Sequence, residues 1–208
     1  MSKRITLAEE RKLFKSGIKY IAGVDEVGRG PIAGPVCVCA TLLNRKILED
    51  EKKFKGLRDS KKLSQDKREY FSGLAKQCEG IFDTAVVCVS NTQIDKKGIS
   101  WSIKKAVETA IQKLKRKPKY IFFDGSLRTD LDIPQKTVIK GDDKIFSIAL
   151  ASNCAKVFRD SKMKNYAKKY PEYGFQQHKG YGTKKHYRAI KKHGISGLHR
   201  KSFLRTLR

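Results

Sequence analysis

Apolar residues come in short runs along this chain, and the runs have two periods. Tyr20–Asp25 predicts a short strand, and Pro35–Leu43 a longer one rich in β-formers. Ile81–Ser90 predicts a third strand, Lys119–Asp124 a fourth and Thr137–Lys140 a short fifth. Elsewhere the spacing is helical. Residues 5–16 and Ser64–Gln77 predict helices. Ile99–Lys117 places Ile103, Ala106, Val107, Ala110, Ile111 and Leu114 on one face, and Pro118 should end that helix. Lys144–Phe158 is apolar nearly all round and predicts a buried helix. Ser161–Tyr170 and Thr183–His193 predict surface helices, the second ended by Gly194. Strands first, then strand and helix in alternation around one sheet, make an α/β fold.

Charge changes the picture. Of 208 residues, 47 are Lys or Arg and 21 are Asp or Glu, a formal net charge of +26. Such a chain is expected to meet a polyanion, because basic side chains displace counterions from phosphates. Half of the excess lies in residues 161–208, with 14 basic residues against the single acid Glu172. Tyr166, Tyr170, Tyr173, Phe175, Tyr181, Tyr187 and Phe203 are interleaved there. They can stack on bases or anchor the segment on the rest of the molecule. We therefore expect a main domain over 1–160 and a basic helical appendage over 161–208, packed on it and facing nucleic acid. The same segment holds all four histidines, His178, His186, His193 and His199, for which a solvated surface is the expectation.

No apolar run approaches the roughly 20 residues of a membrane span. The start of the chain lacks the apolar stretch of a secretory signal. The five cysteines, Cys37, Cys39, Cys78, Cys88 and Cys154, include no C-x-x-C pair and sit mostly in apolar surroundings. Buried reduced thiols in a cytoplasmic protein are expected, rather than a disulfide framework or a zinc cluster.

In so basic a chain, acids beside apolar strands need a reason. Asp25 and Glu26 follow Tyr20–Val24 and precede a glycine turn; Asp124 ends Lys119–Phe123 and precedes Gly125; Asp142 follows Val138–Gly141. Taken singly, Asp124 could be a turn residue, Asp142 or Asp143 a helix cap, and Asp25 the partner of an arginine. Taken together they share one grammar, an apolar strand ending in an acid beside glycine. Ligands of open α/β sheets bind at such strand ends. Carboxylates gathered there repel unless cations lie between them, and hard oxygen ligands suit Mg²⁺ or Mn²⁺. Two such ions support in-line phosphoryl displacement, so a metal-dependent phosphodiesterase is expected. Asp25 and Glu26 are adjacent, so both reach one site only if the strand ends or bends there. The turn Gly28-Arg29-Gly30-Pro31-Ile32-Ala33-Gly34 lacks nucleotide-loop spacing; its use is close approach of backbone to a ligand, with Arg29 as an anion contact.

The segment Tyr20–Val36, reading Y-I-A-G-V-D-E-V-G-R-G-P-I-A-G-P-V, resembles the signature of bacterial-type ribonuclease HII. The resemblance continues at Asp59–Ser64, Phe123–Gly125, Lys140–Asp142, Ala155–Val157, Arg159-Asp160, Tyr173–Phe175, His178–Thr183 and His199–Phe203. It departs at Asn153 and Cys154, where the family usually has apolar residues. The resemblance implies a ribonuclease H-like fold, a mixed five-stranded sheet flanked by helices with a helical C-terminal appendage. It implies cleavage of the RNA strand of RNA–DNA hybrids, and 5′ of single ribonucleotides in duplex DNA, leaving 3′-hydroxyl and 5′-phosphate ends. Asp25, Glu26, Asp124 and Asp142 match the family's metal-binding catalytic acids. Gly28, Arg29 and Gly30 match the loop that recognises the 2′-hydroxyl, and Tyr181 the tyrosine at the RNA–DNA junction. Lys61 and Lys62 match a phosphate-contacting segment. The related HIII group carries Gly-Lys-Gly in the loop and an additional N-terminal domain, for which a signature starting at residue 20 is expected to leave no room. We expect a monomer, and the sequence leaves a replication or repair partner open. The rival reading is a non-catalytic RNA-binding or ribosome-associated protein, which explains the charge but not the strand-end acids.

Overall fold

The computed structural model describes residues 5–78 and 80–204. Five strands make one mixed sheet: β1 Tyr20–Val27, β2 Val36–Asn44, β3 Phe82–Val89, β4 Tyr120–Asp124 and β5 Gln135–Val138. Their order is β3-β2-β1-β4-β5. β1 pairs antiparallel with β2 and parallel with β4; β2–β3 is antiparallel and β4–β5 parallel. The helices are α1 Ala8–Lys15, α2 Ile47–Asp50, α3 Gln65–Gln77, α4 Asn91–Lys97, α5 Ile99–Gln112, α6 Phe146–Lys169, α7 Phe175–His178 and α8 Lys184–His193. This is the expected α/β fold, a five-stranded mixed sheet with flanking helices.

Alternation along each strand sends residues to two cores. Ile21, Cys39, Leu43 and Phe122 face α6 and α3, meeting Phe146, Ala151, Ala155 and Phe71. Ala22, Val24, Val38, Ala40, Ile121 and Phe123 face α5, meeting Ile103, Ala106, Val107 and Ala110. With both faces covered, the central strands read as nearly continuous apolar runs. Each large aliphatic or aromatic side chain so buried contributes about 1.5–3 kcal/mol. α6 crosses β1 at Gly23, where a β-carbon would stand 2.1 Å from the Ser147 backbone. Glu10 of α1, fully buried, accepts the Ser147 N–H at 2.8 Å. It thereby satisfies a first-turn donor of α6 from a distant helix, where Ile145 offers no side-chain cap.

The differences from expectation have local causes. α5 ends at Gln112, five residues early, because Asp83 accepts the Lys115 N–H and draws the chain off the helix. β5 lies two residues earlier than expected because pairing with β4, Ile121↔Gln135 to Asp124↔Val138, decides its bounds. The two helices expected at 144–158 and 161–170 are one, α6. No glycine or proline separates them; the change in pattern reflects burial, since α6 is continuously buried only as far as Ala155. α6 therefore runs through residues 160 and 161, and its last turns join a third core of Ile32, Ala33, Met163, Tyr173, Phe175 and Ile190. Among the described residues no helix is long and apolar enough to cross a membrane.

One expectation is corrected. Cys37 and Cys88 face each other across β2 and β3, Cα atoms 4.0 Å apart, and form a disulfide. A pairing between strands 51 residues apart depends on register, which spacing along the chain does not reveal. Cys39 and Cys154 are buried free thiols as expected, and Cys78 is half-buried.

Candidate active site and nucleic-acid interface

The sheet opens at one end of β1. Pairing with β4 stops at Val24↔Phe123, whereas pairing with β2 continues to Val27↔Cys37. Asp25 and Glu26 sit in that fork, and Asp124 is the last residue of β4. The short turn Gly141–Asp143 follows β5 and supplies Asp142. Asp124 Oδ1 accepts the N–H groups of Gly141 at 2.7 Å and Asp142 at 3.4 Å, pinning the turn to the strand end. β1 does not end at Asp25 but parts from β4 after Val24, and Asp124 still acts on Glu26.

Four carboxylates thus share one place, and Asp25, Glu26 and Asp142 are all harder to ionise there than free. Burial pushes the Asp25 carboxyl well above its ordinary range, and Glu26, Asp124 and Asp142 push it further. Burial and then Asp124 raise Glu26, against the opposing charges of Arg29, 4.0 Å away, and Lys61. Burial, Asp124 and Asp59 raise Asp142 to about 6, although Lys61 Nζ lies 3.5 Å from its Oδ2. Among the described residues no three acidic, histidine or cysteine side chains already close around one point. The donor set nevertheless suits a hard divalent cation: oxygen ligands only, mutually repelled, with too little basic charge inside to neutralise them. Asp143 is less buried than Asp142 and pairs with Lys62, so Asp142 is the acid that faces the cluster.

Lys61 and Lys62 both flank the acids. Asp59 accepts the Lys61 N–H at 2.9 Å, and Ser60 Oγ meets Ser152 Oγ of α6 at 2.9 Å. Asn153, one of the departures from the family pattern, is buried and donates to the Arg58 carbonyl at 3.0 Å, tying the same segment to α6. The lysine side chain of Lys61 stays largely exposed, within reach of a phosphate.

The Gly28–Pro35 loop joins β1 to β2 and is tied to the C-terminal quarter. Ile32 and Ala33 donate to the Gly180 carbonyl at 2.9 and 3.2 Å, and Gly34 to Leu198 at 2.9 Å. Arg29 and Gly30 stay exposed. Tyr181, also exposed, follows Gly180 directly, so loop and tyrosine share one tether. Of the seven interleaved aromatics, Tyr173 and Phe175 are buried, and Tyr166, Tyr170 and Phe203 pack against them; they anchor. Tyr181 and Tyr187 remain outside.

The solvated-surface expectation fails for two histidines, because the third core covers them: His186 and His199 are fully buried, and His178 is half-buried. Their hydrogen bonds order their protons. His199 Nδ1 accepts the Ser196 N–H at 2.8 Å, so its Nε2 donates to His186 Nε2 at 3.0 Å. His186 Nδ1 then donates to the Tyr181 carbonyl at 2.9 Å. His178 accepts from Gly180 N–H at 3.2 Å and donates to the Tyr173 carbonyl at 2.7 Å. Burial lowers all three, His186 to about 4, and keeps them neutral. Their clustering within one aromatic segment was the only sign of this role in the sequence.

A cleft of about 460 Å³ is lined by Arg29, Ser100, Lys104, Ser126, Arg128 and Asp130 among others. A wider one, about 820 Å³, lies against α8.

Comparisons with known proteins give the family. The family model for ribonuclease HII matches residues 22–206. A ribonuclease HII of Clostridioides difficile (strain 630) is 44% identical over 198 residues, 95% of this chain and 75% of that protein. The crystal structure of the ribonuclease H2 from Pyrococcus horikoshii OT3 superposes with a TM-score of 0.72 at 27% identity, covering 88% of this chain and 93% of that one. The structure of the PCNA:RNase HII complex from Archaeoglobus fulgidus gives 0.69 at 27% identity, covering 86% and 93%. The chain belongs to the ribonuclease HII family, and it is a hydrolase, a ribonuclease H endonuclease, rather than the non-catalytic binding protein that its charge alone allowed.

Proposed function

We propose that this endonuclease cuts the RNA strand of RNA–DNA hybrids and also nicks duplex DNA 5′ of a single ribonucleotide, leaving 3′-hydroxyl and 5′-phosphate ends. The observation that carries the reading is the convergence of Asp25, Glu26, Asp124 and Asp142 at the β1–β4 fork of a chain with net charge +26. These four side chains hold two divalent cations, Mg²⁺ or Mn²⁺. When bound, the cations supply activation of the attacking water and neutralisation of the leaving 3′-oxygen. Asp124 keeps the Asp142 turn in place through the two N–H bonds it accepts. Lys61 and Lys62 contact phosphates next to the scissile bond. The backbone of Gly28, Arg29 and Gly30 reads the ribose 2′-hydroxyl in the minor groove, where a hybrid or A-form duplex displays it. Tyr181 stacks at the RNA–DNA junction. Residues 161–208 hold the duplex; Arg205–Arg208 of this segment lie outside the described residues.

The enzyme works in the cytoplasm as a monomer; that it also meets a replication or repair partner is supported by the PCNA complex of the Archaeoglobus relative. The test uses duplex DNA carrying one ribonucleotide, with Mg²⁺, Mn²⁺ or chelator, and maps any nick. A metal-dependent nick 5′ of the ribonucleotide is the expected result. Cleavage of a long hybrid without that nick would keep the acids and remove the junction reading. Cleavage that survives chelation would remove the cations.

A further inference from the structure

Two of the largest fully buried side chains are arginines, Arg159 of α6 and Arg200, and none of the chemistry above uses them. Among the described residues their hydrogen bonds all run to main-chain carbonyls. Arg200 donates from Nη2 to Gly28 at 2.6 Å, from Nη1 to Arg29 at 2.9 Å and from Nε to Gly34 at 2.9 Å. Arg159 donates from Nε to Pro35 at 2.9 Å, from Nη2 to Ala33 at 3.4 Å and from Nη1 to Lys179 at 3.0 Å. Five of these six carbonyls belong to the Gly28–Pro35 loop; the sixth precedes Gly180 and Tyr181. Gly28 lies directly on the clasp: at φ 86°, a β-carbon there would stand 2.2 Å from Arg159 Nε.

Two buried, mutually repelling guanidiniums that hydrogen-bond to no carboxylate among the described residues, with Asp160 and Asp95 acting only through space, are a costly way to fill a core, and apolar side chains of similar volume do as well or better. What an apolar side chain cannot do is turn carbonyls. A trans peptide is planar, and its C=O and N–H point in opposite directions. Drawing the Gly28 carbonyl inward turns the Arg29 N–H outward, and drawing the Arg29 carbonyl inward does the same to the Gly30 N–H. Both N–H groups lack internal acceptors among the described residues, and Gly30 faces open space. Two adjacent donors aimed at solvent beside the acid cluster fit a hydroxyl oxygen.

We propose that Arg159 and Arg200 are positioning residues for ribose recognition, holding the Gly28–Pro35 loop so that its outward N–H groups meet the 2′-hydroxyl at one fixed distance from the acids. This rests on the assignment of Gly28-Arg29-Gly30 as the ribose-reading loop. The guanidinium fork matters more than the charge, because each arginine reaches three carbonyls in different directions and a lysine ammonium cannot span them.

The test compares wild type with Arg200→Lys and Arg159→Lys, each shown folded by its thermal transition. Nicking at a single ribonucleotide and cleavage of a long RNA–DNA hybrid are measured separately. A hybrid offers a 2′-hydroxyl in every register and tolerates a displaced loop; a lone ribonucleotide offers one. The expected result is a loss of tenfold or more in kcat/KM on the single ribonucleotide, with hybrid cleavage within threefold of wild type. Amide exchange of the Gly28–Pro35 loop should quicken in the same variants. A wild-type ratio of the two activities in both variants overturns the proposal, as does failure of both to fold, which would assign the arginines to the core. Absence of single-ribonucleotide nicking in the wild type would instead remove the loop assignment beneath it.

Discussion

The molecule buries charge in two places and treats it in opposite ways. At the β1–β4 fork, like charges are brought together: burial and the neighbouring carboxylates raise Asp25, Glu26 and Asp142. Under the Gly28–Pro35 loop, each guanidinium is spread over three carbonyls and satisfied within the chain. The first arrangement is incomplete without something from outside; the second is complete. A buried charge that the fold leaves unsatisfied marks a binding place, and one that the fold satisfies marks a scaffold.

The largest effect should come from the incomplete side. Asp124→Asn is expected to lower cleavage on the order of 1,000-fold, about 4 kcal/mol in the barrier, while hybrid affinity in a gel-shift titration changes little. Unchanged cleavage would take Asp124 out of the site.

Acid should separate the fork from the buried histidines His186 and His199 next to the clasped loop, because fork and histidines respond with opposite sign. His186, near 4 in the fold against 6.5 free, stays neutral while the unfolded chain takes a proton. Stability from the histidine scaffold is therefore complete above pH 6.5 and is lost as pH falls toward 4, by about 3 kcal/mol at most. Asp142, raised to about 6, takes its proton in the fold first. Between pH 6 and 3.8 its repulsion is relieved and stability is gained. Urea unfolding of the metal-free protein across this range should show a shallow slope in wild type. Asp142→Asn should leave a clear loss of stability as pH falls, and His186→Asn should turn the shallow slope into a gain. Equal slopes in all three would dissolve the contrast.

A smaller effect is a trade of stability for function at the acids. Asp25→Asn keeps an oxygen for the Glu26 N–H, now 2.7 Å from Asp25 Oδ1, and removes a repelled charge. It should stabilise the metal-free protein by about 1 kcal/mol and abolish the rise in melting temperature that Mg²⁺ gives wild type. A melting temperature below that of wild type would mean the carboxylate is not under strain.

The smallest concerns the exposed charge. Exchanging Lys184, Lys185 and Lys191 of α8 for Gln should reduce the slope of log affinity against log salt by roughly 0.9 for each phosphate that these lysines neutralise in the wild type. An unchanged slope would place the duplex on another face.

Much of this was legible in the chain. The strands announced themselves by short β-branched runs, and the acids by standing at the ends of those runs in a basic sequence. Lys61 and Lys62 came from motif resemblance and fall beside Asp142 and Asp143. The roles of Arg159 and Arg200 were not legible, because the loop carbonyls they hold are remote in sequence. Arg200 reaches back to Gly28, and Cys37 reaches Cys88 only through the β2–β3 register.

The sequence by itself determined the α/β class and pointed to the four acids and to a polyanionic partner, since these follow from local periodicity and charge. The tertiary structure alone decided that β1 parts from β4 at Val24, that α6 runs unbroken to Lys169, and that the C-terminal quarter folds back to clasp the loop. Those outcomes depend on which distant backbone groups meet. A carbonyl is the same in every residue, so no sequence pattern records which carbonyl a buried arginine will hold.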